Sequence, residues 1–259
     1  MIARHEKGIH MRTGLFLAAL LALAPSPALA DVTARYAVGG KELVVEVDDG
    51  GNSRFEVGGK FTIIRRDGTD YIVIQEKDGP KVFEMAGLVE LMKGILPKTP
   101  EAAEKEKIAF GAVAGTDPIT IAGIAGAVWQ MRMLEGPADD RKRYVEIVTS
   151  ADPRLAPVGQ VFGRTADVAL EFMANFIPES SLFGGTVREI LAKGAPLRVQ
   201  PVDPAKKEEM LLEFKSLDTA EIDAKHFELP APVTSIDEIF GSMDALMKPG
   251  AGGAIKDLP

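Results

Sequence analysis

Chemistry in this chain has few side chains from which to start. Among 259 residues there is no cysteine, and the three histidines are His5, His10 and His226. Without Cys there are no disulfides, thiol nucleophiles, Cys-held zinc or iron–sulfur sites, and no N-terminal Cys to carry a lipid. His5 and His10 fall in a leader expected to be removed, which leaves His226 as the one imidazole base. A catalytic triad needs a base and a group that orients it, and no partner is legible beside His226. A structural or surface histidine is therefore the stronger reading. No G-x-S-x-G, P-loop or G-x-G-x-x-G pattern occurs. Asp48-Asp49 and Asp139-Asp140 offer carboxylates to calcium, but EF-hand spacing is missing and solvated turns are the plainer reading. Arg141-Lys142-Arg143 follows two Asp and reads as a charge-balanced turn rather than an anionic-headgroup site. A carboxylate pair for glycoside hydrolysis leaves no signature in sequence, although one Trp and three Tyr are few for a sugar platform. The expectation is a protein with no catalytic residue, no metal site and no cofactor.

One pattern points to binding. A helical period runs from Val158 to Ile177, and Phe162, Phe172, Met173 and Phe176 are its candidate ligand-lining residues. Met85, Met92, Met243 and Met247 lie on the other amphipathic stretches. Met and Phe repack around variable apolar guests. An ordinary core between a helix and a sheet would show the same stripe, so the two readings stay open here.

The elements that position these residues follow from periodicity. Period-2 alternation predicts strands at Thr33–Val38, Glu42–Asp48, Arg54–Val57, Phe61–Arg66, Tyr71–Glu76 and Lys81–Met85. Asp67-Gly68 and Asp78-Gly79 between them are hairpin signals, because Gly supplies the positive φ that a primed turn requires. A helix follows from Met85 and stops at Pro97, and Lys98–Lys107 reads as an exposed connection. Strand patterns resume at Ile108–Ala114, Ile119–Leu134 and Arg143–Val148, and Gly123 and Gly126 in the middle one suggest a bulge or a close backbone approach. After the long helix come a short helix at Thr186–Ala192 with Gly194 as its cap, and strands at Leu197–Val202 and Glu209–Ser216. The glycine pairs 39–40, 50–51, 58–59 and 184–185 read as turns. Ser235-Ile236-Asp237-Glu238 is a capping box before a last amphipathic helix, and Gly250–Pro259 is a loose tail. Hairpin runs rather than βαβ alternation mean α+β with an antiparallel sheet.

The N-terminus sets the compartment. Arg12 is a short positive region, Leu15–Ala24 an apolar one, and Ala28-Leu29-Ala30 a cleavage site, so residues 1–30 read as a cleaved secretory signal. About ten apolar residues are too few to span a bilayer, which needs ~20. Met1 and Met11 are both candidate starts. The leader holds Arg4, Lys7 and Arg12 against Glu6, which leaves 27 basic and 37 acidic residues, a net charge of −10, from Asp31 onward. Such a chain repels phosphate backbones, so no nucleic-acid partner is expected. No later stretch reaches membrane-spanning length, and the mature protein is expected to be soluble in the periplasm.

The closing segment carries a family resemblance. Gly194-Ala195-Pro196-Leu197-Arg198-Val199 opens a strand, and Ile222-Asp223-Ala224-Lys225-His226-Phe227-Glu228-Leu229-Pro230 ends the domain. This ending, with Ile121-Ala122-Gly123 at mid-chain, resembles periplasmic proteins of the lipoprotein-carrier superfamily, in a branch known as a domain of unknown function. The resemblance covers about Thr33 to Pro230. It implies a strongly curved antiparallel sheet, a half-open barrel, with amphipathic helices packed on its concave face around an apolar cavity. Carriers usually open on a helix, whereas here the first element is a strand.

These readings give three regions: a signal peptide at 1–30, a half-barrel domain at 31–230, and a C-terminal helix and tail at 231–259. The expected function is non-catalytic binding of an apolar ligand, a lipid or a lipidated protein. An envelope assembly or interaction protein without a small ligand is the alternative, and a carboxylate-dependent hydrolase comes third.

Overall fold

The structure, a computed structural model, describes residues 31–95, 109–135, 142–174, 180–203 and 210–235. The leader, the connection Lys98–Lys107, Asp139-Asp140-Arg141, Phe176 and the helix expected after Ser235 lie outside the described residues.

Six strands form an N-terminal meander: β1 (Val32–Val38), β2 (Lys41–Val47), β3 (Ser53–Val57), β4 (Phe61–Arg66), β5 (Thr69–Glu76) and β6 (Gly79–Glu84). Helix α1 (Met85–Ile95) follows without a loop. Then come β7 (Phe110–Ala114), β8 (Ile119–Ile121), β9 (Ile124–Met133) and β10 (Tyr144–Ser150). Helices α2 (Ala156–Ala174) and α3 (Ser180–Leu191) precede β11 (Ala195–Val202) and β12 (Leu212–Asp218), and a 3-10 turn at Ala224–Phe227 follows. The strands form one sheet in the order β6-β5-β4-β3-β2-β1-β12-β11-β10-β9-β7, with β8 paired to β9. Every strand pairing is antiparallel. The expected class is what the chain adopts: one α+β antiparallel sheet, curved but not closed, with helices packed on it.

Turn chemistry explains the meander. Asp67 and Gly68 sit at φ 50° and 84°, the left-handed pair that a two-residue hairpin needs. The same device corrects one expectation. Ile119–Leu134 is not a single bulged strand. Ala122 and Gly123, at φ 46° and 81°, turn the chain so that Ile121 pairs with Ile124. Ala at positive φ is uncommon, which is why the sequence reads straight through this point.

A second correction concerns Gly184-Gly185. They are not a turn but lie inside α3, which starts before Thr186. Gly184 is buried and faces Leu170 of α2, where a Cβ would make ordinary contact. Gly194 does close the turn after α3, donating its N–H to the Leu191 carbonyl at 3.2 Å. At φ 147° a Cβ there would strike the Ser150 carbonyl.

The principal core lies between α2 and the middle of the sheet. Val32, Ala34 and Tyr36 of β1, Leu43, Val45 and Val47 of β2, Leu197 of β11 and Phe214 of β12 meet Leu155, Val158 and Val161. Alternation places these strand residues on one face, and the helix stripe covers them. Tyr36 stacks edge-on to Phe162 and Phe214, with ring centres 5.2 and 5.4 Å apart. Asp152 starts the helical segment by accepting from the Arg154 N–H at 3.0 Å.

A second, smaller core lies on the opposite side of β4–β6. Ile64, Val73 and Val82 are fully buried there beneath Leu229 and Ala231. The segment after β12 runs across this outer face as a strap. It is tied at its start by the Ile222 N–H to the Asp31 carboxylate at 2.6 Å. At its far end Val233 bridges Val82 in parallel, and the Thr234 N–H donates to the Val82 carbonyl at 2.7 Å. Phe227, 3% exposed, is its buried anchor.

Candidate functional site

The inner face of β3–β6, on the side of the helices, is built in rows. Cross-strand register puts Ser53, Arg65 and Asp70 side by side. The next row is Phe55, Ile63, Ile72 and Phe83, and the one after it Val57, Phe61, Ile74 and Lys81. Residues directly opposite in an antiparallel pair share a face, so each row is a contiguous surface. The two apolar rows are not closed: Phe61 and Ile74 are 37% and 39% exposed, and Ile63, Ile72 and Phe83 are half-buried.

Helices α1 and α2 border this face. Met85 from α1 and Val161, Arg164, Thr165 and Val168 from α2 meet Ser53, Phe55, Ile63 and Asp70 around a void of about 20 Å³. The helical residues recur at three- and four-residue spacing, one stripe of α2 turned to the sheet. The void has room for about one water molecule. Its floor is polar. Arg65 Nη1 lies 2.7 Å from Asp70 Oδ2, and Arg164 Nη2 donates to the buried Ser53 Oγ at 3.3 Å. Burial holds the Arg164 guanidinium below its ordinary basicity, and Arg65 adds to that while Asp70 opposes it. The arrangement holds no nucleophile beside a base. It offers an apolar surface ending in an Arg65–Asp70 ion pair and a second cation, Arg164, bonded to Ser53.

The residues singled out in sequence fall in different places. Phe162 is half-buried and packs edge-on to Tyr36 and, at 5.7 Å, to Phe55, so it joins the principal core to the inner face of the wing. Phe172 and Met173 lie further along α2, about 15 Å along the axis from Phe162 at 1.5 Å per residue. Phe172 is 37% exposed, Met173 half-buried, and Phe176 lies outside the described residues. Asp48 is engaged locally, accepting from the Asn52 N–H and Nδ2, both at 2.7 Å, as a turn carboxylate does. Arg143 pairs with Asp203 at 3.4 Å. No cluster of three metal-ligating side chains occurs among the described residues.

His226 needs a correction, because it has a partner. Its Nδ1 lies 3.0 and 3.1 Å from the two oxygens of Glu46, which is 9% exposed on the outer face of β2. Arg54 Nη1 donates to the His226 carbonyl at 3.3 Å and also pairs with Glu56. The imidazole fixes the strap to the sheet. A separation of 180 residues hides that pairing from any local reading.

A cleft of about 480 Å³ opens on the other side of α2. It is lined by small residues, among them Gly159, Gly163 and Ala195, and the Arg188–Asp167 ion pair crosses it at 2.6 Å. No helix among the described residues is long and apolar enough to cross a membrane.

Sequence reasoning missed Arg164, Arg65, Asp70 and Ser53. The local signal was present only for Arg164, a cation at a position where the apolar stripe of α2 turns toward the sheet.

No family model and no curated protein matches the sequence. Among solved structures the chain is similar to MucB, in the crystal structure of MucB in complex with MucA(peri). Identity is 13% and the TM-score 0.33, over 85% of this chain and 62% of that one, so the match spans less than two thirds of MucB. It is also similar to the LolA superfamily protein NE2245 from Nitrosomonas europaea, at 10% identity and TM-score 0.23, over 77% of this chain and 89% of that one.

Proposed function

We propose that this is a non-catalytic binding protein of the periplasm that holds an apolar or lipid-like ligand on the inner face of β3–β6. One observation carries the reading. Phe61, Ile63, Ile72, Ile74 and Phe83 stand side by side and open, on strands whose opposite face buries Ile64, Val73 and Val82. Full burial of a Phe or Ile side chain is worth ~1.5–3 kcal/mol, and a contiguous group left half-open retains part of that for a guest. Phe162 stands at the inner end of this surface. Phe172 and Met173, further along α2, would extend its wall, and Phe176 is proposed with them from its place in the sequence. The leader at residues 1–30 supports the compartment.

Titration with a neutral apolar dye, N-phenylnaphthylamine, tests this. Wild type should bind with enhanced emission. Phe61→Ser and Ile74→Ser should each weaken binding about fivefold or more, ~1 kcal/mol, with a small change in the denaturant midpoint. Phe172→Ala should weaken it less. A wild type that does not bind, or variants that bind as wild type does, would refute the reading.

A further inference from the structure

The apolar rows end in a charge that the fold does not balance. Arg65 pairs with Asp70, and Arg164 stands near both with no ion pair of its own among the described residues, two positive charges against one negative, where the inner face meets α2. Both guanidinium groups stay protonated, because arginine does not lose its proton in proteins. Asp70 is committed to Arg65 at 2.7 Å. Arg164 has five N–H donors, and its one hydrogen bond among the described residues is the 3.3 Å contact with Ser53. None of its nitrogens is both buried and unpartnered, so the remaining donors stay open to solvent and within reach of a bound acceptor. A water in the small void meets one donor, whereas a two-oxygen anion meets a guanidinium edge-on and removes the charge excess.

The surroundings say what the anion must be attached to. From the row of Ser53 and Asp70, two strand repeats lead past Ile63 and Ile72 to Phe61 and Ile74, a distance of about 13 Å at ~3.4 Å per residue. That path is apolar on the sheet side and half-open.

We infer that the site takes an anionic amphiphile, its oxyanion head on Arg164 beside the Ser53 and Thr165 hydroxyls and its alkyl chain along Ile63, Ile72, Phe61 and Ile74. The inference rests on the reading that this face binds apolar ligands. Charge complementarity selects the occupant, because a neutral chain leaves Arg164 unmet and a cationic one meets like charge. A carboxylate and a phosphate head share this chemistry.

Calorimetry with decanoate, decyl phosphate and decanol, each below its aggregation threshold, separates head from tail at constant chain length. Wild type should bind the two anions about tenfold tighter than decanol, ~1.4 kcal/mol. Inorganic phosphate alone should not bind measurably, since it lacks the chain. Arg164→Met should erase the preference for the anions while leaving decanol binding near the wild-type value. Arg164→Lys, which restores the charge without the fork, should recover part of the preference and guards against a variant that merely misfolds. Ile74→Ser should weaken all three ligands alike. Added salt should narrow the gap between anion and alcohol. The stronger of the two anions names the head.

Equal binding of decanol and the anions, or a preference that survives Arg164→Met, would overturn the headgroup assignment and leave apolar binding standing. Binding of inorganic phosphate that competes with decanoate would also overturn it, in favour of a free-anion site. If none of the three decyl compounds binds wild type, the apolar reading fails as well.

Discussion

Strands β4–β6 carry apolar side chains on both faces, and the two faces have different fates. Ile64, Val73 and Val82 on the outer face are 0–2% exposed, whereas Phe61, three residues before Ile64, and Ile74, next to Val73, remain more than a third exposed. The side chains are alike in type and size. What differs is the cover: the strap that ends at Val233 lies over one face, and α1 and α2 only border the other. Whether an apolar row is buried or left open is decided here by what is laid across it rather than by its composition.

Substitutions can break that contrast. The largest effect should come from Phe227→Ala, which removes the strap's buried anchor. Truncating a packed Phe costs ~3–5 kcal/mol, and a lower denaturant midpoint with an unchanged slope would register it. Next, Ile64→Ala should cost ~2–4 kcal/mol, while Ile74→Ala on the open face should cost under ~1 kcal/mol. Equal losses at the two positions would mean that the inner face is as closed as the outer one. A third effect concerns the latch. His226→Ala should cost ~1 kcal/mol or less, because its imidazole is half open to solvent and its bond to Glu46 is correspondingly screened. Such a variant should keep dye binding, since the pair lies on the other side of the sheet from the binding face. The smallest effect is expected at Tyr36, at the closed centre of the inner face. Its buried hydroxyl has no hydrogen-bond partner among the described residues, and burial pushes its pKa up. Tyr36→Phe keeps the ring contacts with Phe162 and Phe214 and should be neutral or stabilising by up to ~1 kcal/mol, read as an equal or higher midpoint.

Much of the fold was legible in the sequence because it rests on local rules. Period-2 alternation and Asp67-Gly68 suffice for the meander, and the three- and four-residue spacing of α2 suffices for the helix. The hairpin at Ala122-Gly123 was not legible, since nothing in Ala signals a left-handed conformation. Nor was the interior placement of Gly184-Gly185, since a glycine pair reads locally as a turn and not as part of a helix. The candidate site was hidden for a related reason. Alternation says that a strand has two faces but not which one a distant segment will cover. Ser53 and Arg164 stand 111 residues apart, and Asp31 and Ile222, which tie down the strap, stand 191 apart. The closing segment was conspicuous as a motif, yet its work is done on strands from the other end of the chain.

The strap also has a consequence in time. Strands β1–β6 emerge first from synthesis or export, but the cover for Ile64, Val73 and Val82 comes from residues 227–233, among the last of the described chain. The partner of β1 in the sheet, β12, is similarly late. At ~5–20 residues per second, the early strands stand for roughly ten seconds or more with both apolar faces and the free edge of β6 uncovered. A chain with this topology is most exposed to sticking to other chains while it is incomplete, and that risk falls sharply once its C-terminal residues are released.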